Sequence, residues 1–114
     1  MSIERRSSKR LSCDFQSTFR DFDSVTSWAS CFASIKDISS SGLKIRTHAL
    51  VRLSDRLGIS FKLPGRPDPV EAKAVPAWIS EIRNTEIYDV GVRFIEISEE
   101  DRSAVENFCS ATAS

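Results

Sequence analysis

Hydrophobic residues fall at near-alternate positions in six separate stretches of the chain, the spacing of β-strands that bury one face. Leu11 to Phe19 is the first stretch and Trp28 to Ile35 the second, with Phe15, Phe19, Phe32 and Ile35 as core candidates. Arg20 to Ser27, between them, is polar enough for a loop. Asp37 to Gly42 reads as a turn, made of the Asp, Ser and Gly that tight turns use, and Leu43, Ile45 and Thr47 then alternate again. Leu57, Ile59, Phe61 and Leu63 form a fourth strand that stops at Pro64-Gly65, a strong breaker. Val70 to Ile82 carries Ala72, Ala74 and Trp78, but Pro76 has no N–H to give the ladder and demands a bulge or an edge. After a turn at Asn84-Thr85, Tyr88, Val90, Val92 and Phe94 make the sixth strand. The period changes after Ser98. Ser98 followed three residues later by Asp101 is a loose capping box, and Val105, Phe108 and Cys109 recur at helical spacing.

Six short strands with no helix between them favour an antiparallel barrel or a sandwich. The barrel is preferred, because closing the sheet of so short a chain removes edges that invite aggregation, and the single C-terminal helix can cover an open end. The expected class is therefore all-β with one C-terminal helix, a six-stranded antiparallel β-barrel over residues 11–111. Residues 1–10 are polar and basic with no apolar period, and read as a flexible arm that orders only when something pairs with it.

A length of 114 residues suits one domain with a modest core. The formal net charge is zero, which argues against a general nucleic-acid-coating role, since such binding draws on a broad basic surface. The balance is uneven along the chain. Arg5, Arg6, Lys9 and Arg10 crowd the start, whereas Glu96, Glu99, Glu100, Asp101 and Glu106 gather near the end, so one end can attract an anion. Three widely spaced cysteines, Cys13, Cys31 and Cys109, suggest neither a disulfide framework nor a zinc site, and fit reduced thiols in cytoplasm. No stretch approaches the roughly 20 apolar residues of a membrane span, so no membrane insertion is expected.

The candidate chemistry lies in two clusters. Arg6-Ser7-Ser8-Lys9-Arg10 is an R-x-x-x-R spacing preceded by Arg5. Arginine offers a rigid fork of donors that binds phosphate, pairs with the O6 and N7 edge of guanine, or stacks on a purine. Alone, such a cluster is usually a solvated tail. Asp37-Ile38-Ser39-Ser40-Ser41-Gly42 is a D-x-S-x-x-G spacing. Asp37 can accept from guanine N1 and N2, Ser39 can bridge to phosphate or base, and Gly42 permits a positive φ or a close approach to ligand. Alone, this too is an ordinary turn. Trp78 can stack on a guanine, although a large aromatic in a strand is more often core. Arg93, between Val92 and Phe94, should point outward, and His48 has no evident partner. Enzyme signatures such as G-x-S-x-G and H-E-x-x-H are missing, and no metal constellation stands out.

Taken together, the two clusters, spaced about thirty residues apart and followed by Gly91-Val92-Arg93-Phe94, resemble the PilZ domain family of bacterial cyclic di-GMP receptors. The resemblance runs over nearly the whole chain and implies the six-stranded barrel with a C-terminal helix. It implies that Arg6 and Arg10, with Arg5 adding a contact, grip guanine and phosphate, and that Asp37, Ser39 and Gly42 hold the other side of the ligand. The implied role is a cyclic di-GMP receptor or adaptor that orders its arm on binding and signals to a partner protein, with no cofactor and no chemistry done on the ligand. Two other readings stay open on the residues alone: a nucleotide-independent interaction module, and a small barrel that binds single-stranded nucleic acid through its arm.

Overall fold

In the computed structural model, residues 10–21 and 31–113 are described; the expected sites Arg5 and Arg6 and the expected strand start at Trp28 lie outside them. Six strands, β1 (Leu11–Asp21), β2 (Cys31–Ser39), β3 (Gly42–Thr47), β4 (Leu57–Phe61), β5 (Val70–Ile82) and β6 (Ile87–Ile97), precede one helix, α1 (Glu99–Ala113). The strands close into a barrel in the order β1-β2-β3-β6-β5-β4, and every neighbouring pair is antiparallel. Closure leaves no strand of this sheet as a free edge.

Alternation places Ile35, Ile45, Ile59 and Val90 in the barrel interior, all at 2% exposure or less. Each such side chain contributes roughly 1.5 to 3 kcal/mol through burial. Phe19 joins them, and Phe15 is half-buried against the core with its ring 5.5 Å from that of Phe108 on α1. Phe32 does not. It is 76% exposed, because Ala33 and Ile35 take the inward positions of β2 and leave Phe32 on the opposite face.

Helix α1 begins as expected, with the Ser98 hydroxyl accepting the Asp101 N–H at 3.1 Å and three acidic residues in the first turn, where the helix dipole favours negative charge. The Asp101 carboxylate does not complete a capping box; it accepts the Glu71 N–H of β5 at 3.1 Å instead. Val105 and Cys109 face the barrel and are buried. No described helix is long and apolar enough to cross a membrane.

Two of the ladder irregularities decide which side chains reach the outer surface over β2, β3, β6 and β5. In the β2–β3 ladder Ile35 pairs with Ile45 but Asp37 pairs with Lys44, so Lys36 is an extra residue. That insertion reverses the alternation: Ile35 and Ile38 both point inward, and Asp37 and Ser39 are turned outward. In the β5–β6 ladder Pro76 pairs with Val92 and Trp78 with Gly91, leaving Ala77 extra. Pro76 fits where a ladder hydrogen bond is already interrupted. Without this bulge Trp78 would continue the inward series of Ala72, Ala74 and Pro76; with it, the indole is on the outside, 43% exposed.

Candidate ligand-binding site

The outward residues of β2, β3, β6 and β5 line up in register. One rung runs Asp37, Lys44, Gly91, Trp78, each directly opposite the next. The adjacent rung runs Ser39, Gly42, Arg93. Each rung contains a glycine: the floor is backbone at Gly42 and is covered by the Trp78 indole at Gly91, with Asp37 and Ser39 rising on the other side. This trough is a cleft of about 390 Å³, and Arg10 and Ser41 complete its rim. Its lining holds three cations, Arg10, Lys44 and Arg93, against one carboxylate, Asp37.

The two glycines are there for contact, not for unusual φ. Gly65 has the only positive φ among the described glycines. A Cβ on Gly42 would overlap the Val92 carbonyl oxygen, and a Cβ on Gly91 would overlap the Trp78 indole, which lies flat across that residue. Gly42 is thus required by the close approach of β6, and the expected positive φ is corrected.

The turn is also shorter than expected. Asp37 and Ser39 belong to β2 and only Ser40 and Ser41 turn, since Ser39 is already paired with Gly42. The Ser39 hydroxyl shapes the turn locally: it accepts the Ser41 N–H at 3.3 Å and donates to the Gly42 carbonyl at 3.4 Å. From behind, the Arg102 guanidinium of α1 donates to the Ser40 carbonyl at 3.0 Å and the Phe94 N–H to the Ser41 carbonyl at 3.0 Å. One wall of the trough is therefore tied to both the helix and β6.

Asp37 carries the acceptor chemistry. Its side chain is 17% exposed; the Ser12 hydroxyl donates to one oxygen at 3.2 Å and Lys44 Nζ pairs with the other at 3.3 Å. Nearby Cys13 is an inert thiol, pushed up to about 11 by burial and then by the charge of Asp37. A rung further along β3 and β6, Arg46 and Asp89 form a two-pronged pair at 2.8 and 3.2 Å that holds the Asp89 carboxyl below the usual range.

Of the residues expected from sequence, Arg10, Asp37, Ser39, Gly42 and Trp78 converge on one cleft, and Trp78 is a wall of it instead of core. Sequence reasoning missed Lys44, Gly91 and Arg93 as site positions. Their signal was present in the alternation of β3 and β6, but became usable only with the cross-strand register. No cluster of three or more His, Cys, Asp or Glu suited to a metal occurs among the described residues.

Fold and cleft together define a small closed barrel with an external, cation-rimmed trough that suits a flat, anionic ligand. The chain belongs to the PilZ domain family, whose sequence pattern matches residues 4–111. Among solved structures it is similar to the Bacillus subtilis inhibitor of motility MotI/DgrA, with TM-score 0.81 and 17% identity over 97% of this chain and 52% of that one. The PilZ domain of Escherichia coli YcgR, solved with c-di-GMP, gives TM-score 0.66 and 14% identity over 95% of this chain and 91% of that one. The K. pneumonia MrkH–c-di-GMP complex gives 0.75 and 15%, covering 97% and 52%. This chain spans about half the length of MotI/DgrA and MrkH. At these identities the likeness establishes the fold. No curated protein matches the chain.

Proposed function

We propose that the chain is a cyclic di-GMP receptor whose ligand lies in the glycine-floored trough. The observation that carries this reading is the convergence of Arg10, Asp37, Ser39 and Trp78 on one cleft from three separate parts of the sequence. Membership of the PilZ family, and the presence of c-di-GMP in the YcgR and MrkH structures, support it.

Each group has work that fits its chemistry. Asp37 accepts from the N1 and N2 donors of a guanine. The exposed face of Trp78, laid over Gly91, stacks on a base, while the missing side chain at Gly42 lets the ligand sit close to the sheet. Arg5, Arg6 and Arg10 supply guanidinium forks to guanine edges and phosphates. Because all three of these arginines belong to the stretch before β1, binding draws residues 1–10 over the barrel and orders them, which creates a surface for a partner protein. The ligand is sensed and left chemically unchanged, in the cytoplasm.

Calorimetric titration of the full chain with cyclic di-GMP tests the proposal. The expected result is saturable binding that weakens by about a hundredfold or more when Arg6 and Arg10 are both changed to Ala, since each charge-assisted contact is worth about 1.5 to 3 kcal/mol. No binding by the wild-type chain would refute it and favour a docking module that ignores the nucleotide.

A further inference from the structure

Two cations stand within the trough itself, away from the R-x-x-x-R arm. Lys44 is opposite Gly91 and Arg93 is opposite Gly42. They are therefore diagonal neighbours on an antiparallel pair, with Cα atoms roughly 7 to 8 Å apart. Both rise from barrel strands beside the two positions that have no side chain, Gly42 and Gly91, the second of which is covered by the Trp78 indole, and both line the cleft. Like charges this close repel unless an anion lies between or beside them. Lys44 has one, Asp37, at 3.3 Å; the Arg93 side chain is exposed and makes no ion pair among the described residues.

We infer that Lys44 and Arg93 are a phosphate-binding pair fixed to the barrel, and that Lys44 changes partner on binding, passing from Asp37 to a phosphate oxygen as a guanine takes Asp37. This rests on the receptor reading above and adds to it two residues outside the arginine arm and the D-x-S-x-x-G turn. The exchange is inexpensive. The Lys44 side chain is 34% exposed, so water screens its half of the pair; Asp37, at 17%, is mostly buried and must keep a donor, which the guanine edge supplies. The Asp37 carboxylate meanwhile trades one donor for two on the guanine edge. Under a ligand that excludes water from the trough, the same ammonium beside a phosphate is more strongly held than beside Asp37 at an open surface. The arrangement also protects selectivity: with Asp37 removed, Lys44 loses its resting partner and the trough keeps only cations, favouring any anion over one that carries a guanine.

The test is titration of the full chain and of its Lys44→Met and Arg93→Met variants with cyclic di-GMP, alongside the charge-keeping Lys44→Arg and Arg93→Lys variants. Each Met variant, checked for folding by circular dichroism, is expected to bind about tenfold or more weakly, and each charge-keeping variant within about threefold of wild type. Wild-type binding with both Met variants within about twofold would overturn this inference alone. Equal losses in the Met and charge-keeping variants would make the positions structural and overturn it too. Absence of binding by the wild-type chain would overturn the receptor reading and this inference with it.

Discussion

The outer surface of the barrel carries two clefts of similar size, one of about 390 Å³ over β2, β3, β6 and β5 and one of about 430 Å³ over β1, β4, β5 and β6. The larger is the less equipped for a ligand. Its charged lining, Arg20 and Lys73 against Glu71 and Glu96, balances to zero, and Lys73 is spent on Glu96 at 3.2 Å. The smaller cleft has an excess of two positive charges, a carboxylate with both oxygens presented to donors, and an aromatic face laid across a glycine. Volume alone would choose the cleft whose charges cancel. What separates them is whether the register gathers unlike chemistries on one side of the sheet.

The contrast is broken most forcefully at the glycine floor. Gly42→Val drives a side chain into the Val92 carbonyl, and backbone cannot move aside as a flexible side chain does. The expected loss is about 2 to 4 kcal/mol in chemical unfolding, against about 0.5 kcal/mol or less for Ser60→Ala in the other cleft. Equal stabilities for the two variants would mean that the trough floor is not set by the β3–β6 approach.

A smaller effect separates a purely structural ion pair from the Lys44–Asp37 pair one rung away. The Asp89 carboxyl is lowered first by its hydrogen bond to Arg46 and also by the Arg46 charge, with burial opposing. A depressed carboxyl stabilises the fold fully above its unfolded value, about 3.9, and that contribution is lost as pH falls through the lower folded value. Arg46→Ala should therefore flatten the stability profile below about pH 4, by about 1 kcal/mol or less because the Arg46 side chain is 41% exposed. An unchanged acid limb would show that the pair contributes nothing.

Most of the barrel was legible because a half-buried strand writes its period directly into the sequence, as in Leu57, Ile59 and Phe61 or Val90, Val92 and Phe94. Arg10, Asp37, Ser39 and Gly42, which line the trough, were legible as motifs. The errors share one cause, the phase of the alternation. Phe32 and Ile35 are three positions apart and cannot both face inward without a bulge between them, yet near-alternation suggested core for both. The bulge of β2 comes after Ile35, at Lys36, too late to turn Phe32 inward. On β5 the need for a bulge at Pro76 was readable, but its consequence was not: one extra residue, Ala77, moves Trp78 from the interior onto the trough. Lys44 and Arg93 were not read as site residues, Arg93 only as an outward-pointing position, because nothing local distinguishes them from solvated strand positions. Only pairing across β3 and β6 sets them beside Gly91 and Gly42.

The most direct test of which cleft holds the ligand is to follow backbone amide and indole N–H resonances of the isotope-labelled chain during titration with cyclic di-GMP. Gly42, Lys44, Gly91, Arg93 and the Trp78 indole are expected to shift together and saturate, while Thr18, Ser60 and Glu71 stay in place. Shifts concentrated at Thr18, Ser60 and Glu71, or none at saturating nucleotide, would contradict the assignment of the trough as the binding site.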